Sequence, residues 1–308
     1  MANRSTKKSV HIYPPKSMLK KKSASIYPVA RKGAISLDGS NDTNAMIRVD
    51  RALSGRNHRL YRQSRCYTVK VDLDVNAIPG QVVEVYAIAN TWMASKAYKL
   101  AYEMFEDNSK EERAQLGNSA ARWNDFRVDH GLGTAFQKDL LFAGATPGVS
   151  GLDKHGTGTE YVMSEVAIAG GSTVNFRWTG AASGTFNIID EYDRTGNTST
   201  SPSSPTGANV AYDGLTDELD DNQMDHLSEH GNEPPYSKDT IENSIWVKIA
   251  TLSVNAAGQQ KLSTGFFEAP AGLVVVQSSV PLANDSSVLN LECKAGDYKG
   301  VHAPSMLE

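Results

Sequence analysis

The amino-acid sequence predicts an all-β fold: one antiparallel sandwich with a short helical insertion, preceded by a disordered, basic N-terminal arm. Three observations carry this. From Tyr67 onward, apolar and polar residues alternate in short runs punctuated by Gly, Asn, Ser and Pro, the pattern of strands and tight turns. Helical periodicity is confined to one stretch near residues 91–112. Charge is sorted by position: residues 1–66 hold 15 Lys and Arg against three acids, whereas the remaining 242 residues hold 16 against 32, so a formal net charge of -4 averages a +12 arm with a -16 body.

The strands follow in order. Residues 67–75 place Val69, Val71, Leu73 and Val75 on one face and Thr68, Lys70, Asp72 and Asp74 on the other, so one face is core and the other wet. Residues 82–89 come after an Ile78-Pro79-Gly80 turn and are expected to lie beside 67–75. Further strands are expected at 122–128, 161–169, 173–178, 185–190, 245–254, 272–279 and 288–293, eight or nine in all. Between the second and third, residues 91–105 put Met93, Ala97, Leu100, Ala101 and Met104 on one helical side, and Ser109-x-x-Glu112 reads as a capping box opening a second short turn. That layout is a single jelly-roll sandwich over residues 67–308. A pair of immunoglobulin-like domains is the competitor, disfavoured because the one low-complexity stretch, 195–207, reads as an exposed loop.

The arm has two parts. Up to Lys32 it contains no acid, few apolar residues, and Pro14, Pro15 and Pro28, so residues 1–47 are expected to be disordered. Within it Lys7-Lys8-Ser9-Val10-His11-Ile12-Tyr13-Pro14 returns as Lys21-Lys22-Ser23-Ala24-Ser25-Ile26-Tyr27-Pro28. Ammonium groups neutralise phosphates with little sequence demand, and a tyrosine ring can stack on an unpaired base. Arg4, Lys7, Lys8, Tyr13, Lys16, Lys20, Lys21, Lys22, Tyr27, Arg31 and Lys32 are therefore candidate contacts to single-stranded nucleic acid. The bland reading is a solvated tail or a nuclear-import signal at Lys20-Lys21-Lys22. The second part, residues 48–66, carries Arg48, Arg51, Arg56, Arg59, Arg62 and Arg65 with His58, Tyr61 and Tyr67 interleaved. Guanidinium forks suit phosphate, and four arginines at a spacing of three suit neither helix nor strand, so an extended or irregular lead-in is expected.

Other chemistry is weakly marked. Cys66 and Cys293 are too few to staple the chain and read as buried thiols. The first thirty residues lack the apolar run of about 7 to 15 residues that a secretory signal needs, and no run approaches the roughly 20 of a membrane span. His226-Leu-Ser-Glu229-His230 matches a zinc-peptidase pattern, but it sits in the dense acidic segment 217–233, where a solvated loop is the simpler account. Asp217, Asp220, Asp221 and Asp225 are weak candidates for a divalent cation at subunit contacts, and no other cofactor is expected. The Gly131-x-Gly133 and Gly156-x-Gly158 pairs lack a dinucleotide-binding context, and Ser183 is misplaced for a nucleophile elbow, so no enzyme activity is expected. Trp92, Trp123, Trp178 and Trp246 are assigned to core or interface packing.

A basic arm with lysine clusters, an arginine-rich entry at 56–65 and a sandwich interrupted by long polar loops resemble the coat proteins of small icosahedral viruses, most of all those of circular single-stranded DNA viruses. The resemblance implies a non-enzymatic virion protein that assembles with copies of itself into a closed shell, in the host nucleus or cytoplasm. It also implies packaging of single-stranded nucleic acid, DNA favoured over RNA, without membrane insertion. A β-sandwich module binding carbohydrate or another ligand, tethered by a basic tail, is the reading from another class.

Overall fold

The computed structural model describes residues 29–35, 43–75, 80–116, 124–132, 138–140, 152–154, 164–167, 173–179, 185–196, 245–254, 261–279 and 287–308. The Lys/Tyr-Pro repeat from Arg4 to Tyr27, the acidic segment with Asp217, Asp220, Asp221 and Asp225, the His226–His230 motif and Trp123 lie outside these residues.

In chain order the elements are β1 (Lys32–Ile35), β2 (Asn44–Arg48), α1 (Val49–Asn57), β3 (Cys66–Val75), β4 (Val82–Ile88), α2 (Trp92–Leu116), β5 (Lys138–Leu140), β6 (Leu152–Lys154), β7 (Glu165–Ala167), β8 (Thr173–Arg177), β9 (Thr185–Asn187) and α3 (Ile188–Gly196). There follow β10 (Trp246–Ser253), β11 (Lys261–Ser263), β12 (Phe267–Pro270), β13 (Leu273–Ser278), β14 (Ser287–Cys293), β15 (Ala295–Gly296) and β16 (Gly300–Val301). The fold is mostly β, in antiparallel sheets with few helices. One sheet runs β1-β14-β3-β11 with β12 also on β3, and the other runs β10-β4-β13-β2-β5-β6.

The two sheets share a core. Val69, Val71 and Leu73 of β3 with Leu289 and Leu291 of β14 meet Ala45, Ile47, Val83, Val85, Val274 and Val276 from the second sheet, as the alternation of 67–75 demands. The outward face of β3 is polar: Lys70 pairs with Asp72 at 3.1 Å and with Glu292 at 3.0 Å. The second sheet is covered on both faces, which is why Leu273, Val274, Val275 and Val276 are all buried with no alternation. Its outer layer is α2, the small β7-β8-β9 sheet and α3, all inserted between β4 and β10. Thr91 caps α2, its hydroxyl accepting the Ala94 N–H at 3.2 Å, and Asn187 caps α3 through Ile189 and Asp190 at 3.1 and 3.2 Å. Tyr98 of α2 stacks on the fully buried Trp178 at 5.6 Å, and Phe126 meets Phe176 edge-on at 5.0 Å.

Several expectations are corrected. Residues 82–88 do not pair with 67–75: β3 and β4 lie in different sheets, because each presents one apolar face to the shared core and its neighbours come from β13 and β14 far along the chain. The stretch 124–128 forms no strand, and the isolated bridge of Asp129 to Arg177 follows it. Residues 188–190 begin α3 rather than ending a strand. Ser109 starts no second turn; its hydroxyl donates to the Phe105 carbonyl at 2.7 Å inside a continuous α2. Of residues 1–47, expected to be disordered, 32–35 and 44–47 are ordered instead, since β1 pairs with β14 and β2 sits inside the second sheet. Ala45, Met46 and Ile47 supply the apolar surface that orders it.

The C-terminal segment extends the ladder of β3 beyond the end of β14. The Cys66 N–H donates to the Pro304 carbonyl at 3.0 Å, Thr68 to His302 at 3.1 Å, and Met306 to Ser64 at 3.0 Å. Met306 is buried and its sulfur accepts the Ala271 N–H at 3.2 Å. Met306→Ala is expected to lower unfolding free energy by about 2 kcal/mol in denaturant titration; an unchanged midpoint would show that the tail contributes no packing.

Candidate nucleic-acid interface

The arginine-rich stretch is not an extended lead-in. Its first half is the helix α1, because Val49, Ala52 and Leu53 fall at the i, i+3, i+4 spacing that makes one buried helical face. His58 ends it in the left-handed conformation (φ 50°), its N–H donating to Ser54 O. Residues 59–65 then cross one end of the sandwich.

The candidates separate by position. Arg48, the last residue of β2, is fully buried, and Asp129 stands 4.0 Å from it, with Arg177 and His130 on the same carboxylate at 3.3 and 3.6 Å. It knits sandwich to insertion and is withdrawn as a polyanion contact, since a buried guanidinium held by a carboxylate cannot reach a ligand. Lys32 pairs with Glu292 across the β1/β14 register at 2.8 Å on the polar face of the first sheet. Arg31 donates to the Gly300 carbonyl at 3.4 Å. Arg56, Arg59 and Arg62 are exposed, and Arg51 and Arg65 half-buried.

Arg59, Arg62 and Arg65 gather around a turn that sequence reasoning missed, residues 297–300, which joins β15 to β16 and carries Tyr298 and Lys299. Lys299 adopts φ 49° and Gly300 φ 92°, a left-handed pair that glycine eases. Tyr298 accepts the Arg62 N–H on its hydroxyl at 3.0 Å, Tyr61 donates to the Lys299 carbonyl at 3.0 Å, and Tyr67 donates to the Arg62 carbonyl at 2.7 Å. The Arg65 guanidinium lies 4.4 Å from the Tyr298 ring centre. Lys299 donates to the Leu60 carbonyl, with the Tyr298 and Tyr61 ring centres 5.4 and 5.9 Å from its ammonium. Burial first, and then the guanidinium of Arg62 with those of Arg65 and Arg59, hold that ammonium below its usual range; Asp125 opposes them. A lysine crowded by three arginines marks an excess of positive charge in a small space, the setting in which an anion is favoured.

The arm joins the body at this same end. The Ala30 N–H donates to Asn57 Oδ1 at 2.9 Å and Asn57 Nδ2 donates back to the Ala30 carbonyl at 3.2 Å. The segment leading to the lysine repeat therefore enters beside the arginine cluster. Nothing in the local sequence around Tyr298 and Lys299 marks them as partners of the arginine stretch.

Among the described residues, no group of three or more His, Cys, Asp or Glu could hold a metal ion, and no helix is long and apolar enough to cross a membrane. Cys66 and Cys293 are free and buried, each thiol pushed up to about 12, chiefly by burial. Trp178 is core, whereas Trp92 is 66% exposed beside Tyr192. No family model, no curated protein and no solved structure matches this chain.

Proposed function

We propose that the chain is a coat protein that assembles into a closed shell and packages single-stranded nucleic acid, on a jelly-roll body. The observation that carries this reading is the nesting of strand pairs: β1 with β14, β2 with β13, β3 with β11 and β12, and β4 with β10. With the β15/β16 pair and the strands inserted between β4 and β10 set aside, the outermost strands pair with each other and the rest nest inward, which is an antiparallel ribbon rolled into two sheets. Joining across β3/β14 and β4/β13 closes the roll. This nested order supports reading the body as a jelly roll, an architecture recurrent in capsid and lectin domains. The fold alone does not choose among its uses; the choice rests on the basic end, where the arm's root, three arginines, Lys299 and three tyrosines meet.

The full chain, expressed alone, is expected to form uniform spherical particles in electron micrographs and to retain nuclease-protected nucleic acid. Monomers free of nucleic acid at high concentration would sink the proposal. The exposed Trp92 beside Tyr192 favours the second reading, a glycan-binding sandwich; saturable sugar binding by a monomer would establish it.

A further inference from the structure

Beneath the arginine cluster lies a carboxylate that the reading above leaves without a role. The side chain of Asp125 is closed to solvent, and its Oδ2 accepts the Gln63 N–H at 3.0 Å. Its Oδ1 receives no hydrogen bond among the described residues, and Arg62 Nη1 stands 3.7 Å from it. Arg62 is 46% exposed, so one guanidinium faces a buried carboxylate on one side and solvent on the other.

We propose that this cluster is a phosphodiester-binding site, separate from the N-terminal arm, at which a ligand phosphate takes Arg62 while Asp125 takes up one proton in exchange. The inference rests on the nucleic-acid partner proposed above and adds how the ordered site works. At 3.7 Å the Arg62–Asp125 contact is a loose ion pair, whereas a phosphate in front of Arg62, Arg65 and Lys299 can accept direct, charge-assisted hydrogen bonds. Once a phosphate neutralises Arg62, Asp125 keeps its burial and loses that countercharge, and a buried carboxylate in that position protonates. The proton comes from solvent, and no other bond changes.

The groups facing Asp125 are Arg62 from the crossing segment, Arg127 from its own segment, Asp50 from α1, Tyr67 from β3, and Tyr298 and Lys299 from the turn. Arg62, Arg127 and Lys299 favour the charged carboxylate, while Asp50 disfavours it. Tyr102 of α2 faces Arg62. In the free protein burial already pushes Asp125 up to about 6. Affinity should therefore rise as pH falls from 8 to 6 and level off below, by about tenfold for each unit that binding adds to the carboxyl.

The test is ultraviolet crosslinking of the full chain to a ten-thymidine oligonucleotide at pH 8, 6 and 5, with crosslinked peptides identified by mass spectrometry. Phosphodiesters do not titrate in this range, and peptides containing Tyr13 and Tyr27 report the arm separately. Crosslinks within 59–65 and 294–302 should increase several-fold from pH 8 to 6. Asp125→Asn should make them high and flat across that range. Exposed Arg62→Gln, which leaves the core intact, should make them low and flat. Crosslinks confined to the arm, or an unaltered pH profile in both variants, overturn the inference while leaving the coat-protein reading standing; failure to form particles with cluster crosslinks present does the reverse.

Discussion

Gly131→Ala is expected to destabilise the protein by about 5 kcal/mol, a loss large enough to be diagnostic of a backbone collision. A Cβ on Gly131 would stand 1.7 Å from the Thr179 carbonyl oxygen and 2.5 Å from its carbon. No side chain can swing away, because the obstacle is main chain. The residue's φ of 75° adds about 1–2 kcal/mol for any residue with a Cβ. Relief would require parting 129–131 from 176–179, where Asp129 donates to Phe176 O and Trp178 to Asp129 O, both at 2.8 Å, and Thr179 donates its hydroxyl to His130 O at 3.1 Å. That parting would unseat Trp178 from Tyr98. Denaturant unfolding of the variant checks this. Gly55→Ala is the control, since its Cβ would meet nothing within 4 Å and alanine suits a helix better; it should be neutral or stabilising by about 0.5–1 kcal/mol. Equal midpoints for the two variants would refute the collision.

Asp125→Asn is expected to stabilise the protein at neutral pH by about 3 kcal/mol, with the gain vanishing near pH 4. The Asp125 carboxyl is pushed from 3.8 up to about 6, first by burial, against the Gln63 N–H and the charges of Arg62 and Arg127. A raised acid binds its proton more tightly in the folded state than in the unfolded one. Its contribution is thus fully present below 3.8, is lost as pH rises through about 6, and is absent above. Two units at about 1.4 kcal/mol each set the size. Asparagine keeps an oxygen for the Gln63 N–H and never ionises. Unfolding free energies of both proteins from pH 4 to 8 should diverge across that window; parallel curves would mean that Asp125 is solvated as an ordinary surface acid.

The core of the sandwich was legible in the sequence because strand alternation is a local property. Val69, Val71 and Leu73 lie inward as their spacing requires, and the strand runs near 82–88, 246–253, 273–278 and 287–293 stand where they were expected. β1, β2, β5, β6, β11, β12, β15 and β16 were missed: each has at most five residues, too few for a periodicity to show. The helix α1 was hidden by its own arginines, whose spacing of three drew attention from Val49, Ala52 and Leu53.

The basic site divides along the same line. Composition alone marked 48–65 as cationic, and Arg59, Arg62 and Arg65 do share one end of the body. Whether an arginine there faces solvent or core is decided by packing: Arg48 and Arg51 are three residues apart, yet Arg48 is sealed against Asp129 under the insertion and Arg51 is only half-buried. Tyr298 and Lys299 reach the cluster across more than 230 residues, and Asp125 reaches it from inside the insertion. What the sequence determined by itself was charge segregation and which face of each longer strand is apolar, since both depend on residue order over a few positions. Strand partnership and the meeting of particular charges emerge only on folding, because β pairing and electrostatic neighbourhoods are set by contacts between distant segments that compete for one shared core.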